Sequence, residues 1–169
     1  MTLRIPATAL RLWFAACLIL FPLAPAPAAG SGFPALEGRW QGTGTFGGTP
    51  ARFSVEFRPL FAGRFWELSF RAEAAAPQPP GEAGAFEGRA TYAPAPGGKG
   101  RWIDSRGNQF TVTHEWREGR LESTWGPDGT AAGTSRYTVE ADGSLTVQDF
   151  ILRDGKPLPM ARATLRRAP

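Results

Sequence analysis

Cysteine, histidine, lysine and helix-forming runs are all scarce in this chain of 169 residues. Its single cysteine, Cys17, has no partner in the chain, so a disulfide-stapled framework is excluded. A single histidine, His114, cannot supply the paired imidazoles of a metal site. Lys99 and Lys156 are the only lysines, and the arginines are spread along the chain instead of clustering. That removes the basic stripe on which nucleic-acid binding depends, apart from the terminal Arg162, Arg166 and Arg167. No Ser-centred elbow, metal-binding histidine pair or phosphate loop is present, so the residues favour a binding or structural role over catalysis. What remains is ample apolar material, 42% of residues, against 20% charged, which excludes a disordered chain.

Residues 1–28 read as a secretory signal. Arg4 and Arg11 form a positive start, and Leu12 to Leu23 runs apolar for the length of a signal core, too short for a membrane span. Ala26-Pro27-Ala28 is the cleavage box, which places the start of the mature chain at Ala29 and the protein in the periplasm or outside the cell. A lipoprotein reading would lipidate Cys17, but a long apolar run follows that residue and few apolar residues precede it. Taking Arg4 and Arg11 from the 19 basic residues leaves 17 against 15 acidic, a nearly balanced mature chain. Without Cys17 that chain holds no thiolate metal or redox site. Residues 29–169 are one domain, large enough to need no staples.

All 21 glycines fall in this domain, and they sit with Pro, Asp and Asn between short alternating runs. Gly47-Gly48, Ala62-Gly63, Pro77 to Gly84, Pro94 to Gly98, Arg106-Gly107-Asn108, Glu118-Gly119, Pro127-Asp128-Gly129, Asp142-Gly143 and Asp154-Gly155 are turn signals that delimit ten segments. Within the segments apolar and polar residues alternate with period two. Phe53, Val55 and Phe57 share one side; so do Trp66, Leu68 and Phe70; so do Phe110, Val112, His114 and Trp116. Leu121, Ser123 and Trp125 continue the pattern, as do Tyr137 with Val139, and Leu145, Val147, Asp149 and Ile151. Only Phe33 to Leu36 leaves room for a helical turn. The expected fold is all-β, an up-and-down antiparallel barrel of about ten strands, because closure removes both exposed edges. Arg52, Glu56, Glu67, Arg71, Glu115 and Glu122 fall mid-strand on the outward parity, which argues against a lipid-facing barrel.

The run Gly38-Arg39-Trp40-Gln41-Gly42-Thr43-Gly44 resembles the first strand of the nitrobindin-like branch of the calycins, the wider group that includes lipocalins and fatty-acid-binding proteins. Trp102 to Gly107 and the Asp154-Gly155 turn are similar to small secreted bacterial domains related to that branch. The resemblance implies that Gly38, Gly42 and Gly44 let the first strand coil where the barrel closes, with Trp40 as a plug at its base. It also implies an arginine from the last strand packed on Trp40, for which Arg162, Arg166 and Arg167 are the candidates. Nitrobindin-like proteins hold heme through a histidine on a late strand; Leu158 to Leu165 contains none.

Three functional readings follow. The first is a small apolar or fatty-acid-like ligand in the lumen, oriented by His114, Ser123, Tyr137 and Asp149 and flanked by Trp66 and Trp116, with Trp102 and Trp125 as further lining or core aromatics. The second is a heme or nitric-oxide-related binder using His114, with Met160 a filler or second ligand; otherwise no cofactor and no metal is expected. The third is a filled barrel serving as a structural or interaction module through its loops. Each polar candidate also has a plain reading as a core or strand-end residue satisfied by a neighbour. No nucleic-acid partner and no stable membrane span are expected, and partner proteins are not identified.

Overall fold

The computed structural model describes residues 32–76, 84–93, 95 and 97–169. The expected signal segment with Cys17, and most of the Pro77 to Gly84 loop, lie outside them. A short helix, α1 (Phe33–Leu36), precedes ten strands: β1 (Gly38–Phe46), β2 (Thr49–Leu60), β3 (Phe65–Ala74), β4 (Ala85–Tyr92) and β5 (Lys99–Asp104), then β6 (Gln109–Arg117), β7 (Arg120–Gly126), β8 (Gly133–Val139), β9 (Leu145–Arg153) and β10 (Lys156–Arg167). Every strand pairs antiparallel with the next, and β1 pairs with β10 to close the barrel. The ten segments are those expected from the glycine-marked turns, and the up-and-down order and the single turn of helix are as expected from the alternation and from the lack of helical spacing elsewhere.

Alternation sets the inside and the outside. Val55, Phe57, Leu68, Val112, Leu121, Leu145, Val147 and Leu165 are buried inside, while charges on the opposite parity pair across the outer wall. Arg58 meets Glu67 at 2.6 Å, Arg39 meets Glu56 at 3.3 Å, and Glu122 lies among Arg117, Arg120 and Arg136. Exposed pairs of this kind contribute little individually and serve mainly to fix the register. No helix among the described residues is long and apolar enough to cross a membrane.

Closure depends on missing side chains. Gly42 and Gly44 face inward opposite Leu165 and Ala163, and a Cβ added at either would overlap the backbone of β10. The last strand therefore lies directly on the first. Gly44→Ala is expected to push the two strands apart and cost about 1–3 kcal/mol, as overpacking does, read as a lowered urea midpoint. An unchanged midpoint would mean that the seam gives way without cost.

One end of the barrel is sealed by α1. The Trp40 indole Nε1 donates to the Leu36 carbonyl at 2.8 Å, and the Arg167 guanidinium lies 4.3 Å from the Trp40 ring. Arg167 also donates to the carbonyls of Glu37 and Ala35, so one side chain ties the last strand, the plug and the helix C-terminus together. Of the three candidate arginines it is thus Arg167 that packs on Trp40, and parity is the reason. Arg167 shares the inward side of β10 with Ala163 and Leu165, whereas Arg162 and Arg166 lie on the outward side with Thr164. Arg166 pairs instead with Asp142 at 2.8 Å.

Candidate functional site

Inward polar residues fall on one continuous row across four strands. His114 on β6 is the register partner of Ser123 on β7, Ser123 of Ser135 on β8, and Ser135 of Asp149 on β9. Strands in a barrel are tilted, so a row perpendicular to them climbs along the axis: three steps of ~4.8 Å at a tilt of ~40° rise about 9 Å. His114 and Asp149 consequently lie at different depths, and the barrel interior differs at the two.

At the sealed end the interior is filled. Phe33 of α1 projects into the barrel, with its ring centroid 5.2 Å from His114, 5.4 Å from Tyr92, 5.4 Å from Trp116 and 5.5 Å from Trp66. His114 is 1% exposed, and neither ring nitrogen has a hydrogen-bond partner among the described residues. Burial holds its pKa below the usual histidine value, with the Gly98 backbone opposing. The neutral ring is packed as an aromatic one. Trp66, Trp116 and His114, three of the six expected lumen residues, therefore belong to a hydrophobic plug. Ser123 joins the same region through the Tyr92 hydroxyl, 3.4 Å away. A heme does not fit the ring in this packing, since the space beside His114 is taken by Phe33 and Tyr92.

Toward the other end the lumen opens into a cavity of about 290 Å³. Phe46, Phe70, Phe86, Phe110, Trp102 and Trp125 form its walls, with Met160 and Ile151 completing the apolar surface. Two of those walls are built by pairing an indole with a glycine. Trp102 covers Gly88 and Trp125 covers Gly133 so closely that a Cβ on either glycine would enter the ring. Hydrogen bonds hold the indoles in place: Trp102 Nε1 donates to Asp104 Oδ2 and Trp125 Nε1 to Ser135 Oγ, each at 3.1 Å. Both rings are pressed flat onto the sheet, which keeps the space in front of them open.

Asp149, Ser135 and Tyr137 bring polar atoms to the cavity. Asp149 is 4% exposed, and its Oδ1 has no partner among the described residues. Burial pushes its carboxyl up to about 6, a rise that the neighbouring Ser135 hydroxyl only partly offsets. Tyr137 is held protonated, first by burial and then by the nearby Asp149 carboxylate. The mouth carries a different carboxylate. Asp104 accepts from the backbone N–H groups of Arg106 at 2.9 Å and Asn108 at 3.1 Å as well as from Trp102. Burial acts to raise its pKa, but these hydrogen bonds outweigh it and hold the group below the usual range. Beside it the Arg106 guanidinium lies 5.2 Å from the Phe86 ring centroid.

Of the six residues expected to meet a ligand, the structure brings Tyr137 and Asp149 to the cavity and packs the other four at or toward the plug. Ser135, Phe46 and Phe86 line it without having been singled out. Ser135 shares the parity of Tyr137, and a glycine directly opposite a tryptophan, Gly133 against Trp125, was the available sign of an aromatic wall. Among the described residues no group of three His, Cys, Asp or Glu side chains is placed to hold a metal ion. No protein-family model matches the chain, and no curated protein is similar enough to it to serve as a relative.

Proposed function

We propose that the chain is an exported, calycin-like binding protein whose barrel holds a compact, largely apolar molecule in the open half of its lumen. The observation that carries this reading is the cavity itself: concave, walled by aromatic rings, with a few polar atoms converging on it. At ~30 Å³ for each water-sized atom, 290 Å³ takes about ten non-hydrogen atoms. That size suits a single substituted ring or a short acyl chain. A long fatty acid would need depth that Phe33 and its neighbours fill. The carboxylate of a short one would stay at the mouth near Arg106, because the deeper wall carries Asp149.

The test is isothermal titration of residues 29–169 with a neutral probe, phenethyl alcohol, repeated with Ala132→Phe, which places a ring at the cavity wall. Saturable binding by the parent protein, weakened at least about ten-fold in the variant, is the expected result. Equal binding by both proteins would place the probe elsewhere and sink the reading.

A further inference from the structure

We propose that the open half of the barrel is a site for a small organic ammonium ion, with the aromatic walls taking its hydrocarbon part and the Asp149 carboxylate taking its ammonium group. This rests on the lumen-binding reading above and names its ligand class.

Charge bookkeeping at the cavity points that way. Its charged lining groups are Asp104 and Arg106 at the mouth and Asp149 deeper in. Asp104 is occupied: it accepts hydrogen bonds at both oxygens from Trp102, Arg106 and Asn108. Arg106 lies against the Phe86 ring, and no arginine or lysine among the described residues reaches Asp149. A buried carboxylate oxygen without a donor is costly and uncommon in a folded protein. The cost disappears if a ligand brings the missing donor, and a cation brings the charge as well. The walls suit the same guest. The faces of Trp102, Trp125, Phe70 and Phe86 are electron-rich, and a cation among such faces gains attraction that a neutral or anionic isostere does not. The cavity volume limits the guest to about one ring and a short linker, at ~30 Å³ for each water-sized atom.

Protonation sharpens the prediction. The titratable or charged groups around Asp149 are Tyr137 and Tyr92, both kept protonated by burial; His114 beyond them, its pKa lowered by burial; and Asp104, held below the usual carboxylate range, with Arg106 beside it at the mouth. Asp149, with its carboxyl at about 6, changes charge between pH 5 and 7.5, and it is the one of these groups that Asp149→Asn removes.

The experiment is calorimetric titration of residues 29–169 at pH 7.5 with three probes of one shape: phenethylamine, phenethyl alcohol and hydrocinnamate. Phenethylamine is expected to bind about ten- to a hundred-fold more tightly than the alcohol, the range of one charge-assisted hydrogen bond, and hydrocinnamate most weakly. Lowering the pH to 5 should erode the advantage of the amine and leave the alcohol unchanged. Asp149→Asn should abolish the preference while the alcohol still binds, with circular dichroism confirming the fold. Ala132→Phe, which leaves Asp149 in place, should weaken all three. If the alcohol binds as tightly as the amine, the ammonium inference falls and the apolar binder stands. If none of the probes binds the parent protein, both readings fall.

Discussion

Replacing Trp40 by alanine is expected to lower the stability of the barrel by about 3–5 kcal/mol, the range for removing a large aromatic side chain from a core. Trp40 is fully buried and makes three separate connections, so the loss should lie toward the upper end of that range. Its ring supports the Arg167 guanidinium, its indole N–H holds the Leu36 carbonyl, and its bulk closes the base of the barrel beneath α1. Without it, Arg167 keeps its hydrogen bonds to Glu37 and Ala35 but loses the surface on which it lies. Urea unfolding followed by far-ultraviolet circular dichroism gives the number. Arg167→Lys provides the companion measurement: it keeps the charge and loses the planar fork, so it should fall between the parent and Trp40→Ala. A loss below about 1 kcal/mol in Trp40→Ala would mean that the sealed end contributes no more than an ordinary surface residue.

The second large effect is a gain. Asp149 has its carboxyl at about 6 in the folded protein against 3.8 for the free side chain, so the folded state takes up the proton more readily. Between those two values this carboxyl binds more protons in the folded protein than in the unfolded chain, and its contribution to stability falls as pH rises. The loss is complete above about pH 6 and amounts to about 3 kcal/mol at most, for a shift of two units in a fully buried group. Asp149→Asn removes the titration, so the variant should exceed the parent at pH 7 by up to that amount and match it near pH 3.5. The other shifted groups, His114, Asp104 and Asp142, are present in parent and variant alike, so the difference between the two isolates Asp149. Asp142, lowered to about 2 by its hydrogen bonds from Ser144 and by Arg166, and Asp104, also lowered, lose their contributions only as pH falls below 3.8. Unfolding curves at half-unit steps from pH 3.5 to 7 settle the matter; parallel profiles for parent and variant would show that Asp149 is not desolvated as described. Under the proposed function, a carboxylate that destabilises the barrel at neutral pH is half of a contact that the ligand completes, a cost in stability of the kind that binding sites commonly carry.

Much of this architecture was legible in the residues. Glycine-marked turns gave the number of strands, and period-two alternation assigned inside and outside correctly for Phe53 through Phe57, for Val112 and His114, and for Leu145 through Asp149. The same alternation, applied to β10, would have chosen Arg167 over Arg162 and Arg166 without any structure. The candidate site was legible only in part. Parity states that His114 and Asp149 both face inward; it does not state what each of them faces.

Period and turn chemistry are local, so the sequence by itself determined the strands, their order, their inward faces and the turn of helix at Phe33 to Leu36. Depth along the barrel axis is not local. It depends on strand tilt, on the pairing of β1 with β10, and on where α1 folds back, and these bring Phe33 against His114 while leaving the space before Asp149 open. Only the closed tertiary structure could therefore decide which polar residues are packed into the plug and which one is left at the wall of a cavity with an oxygen to spare.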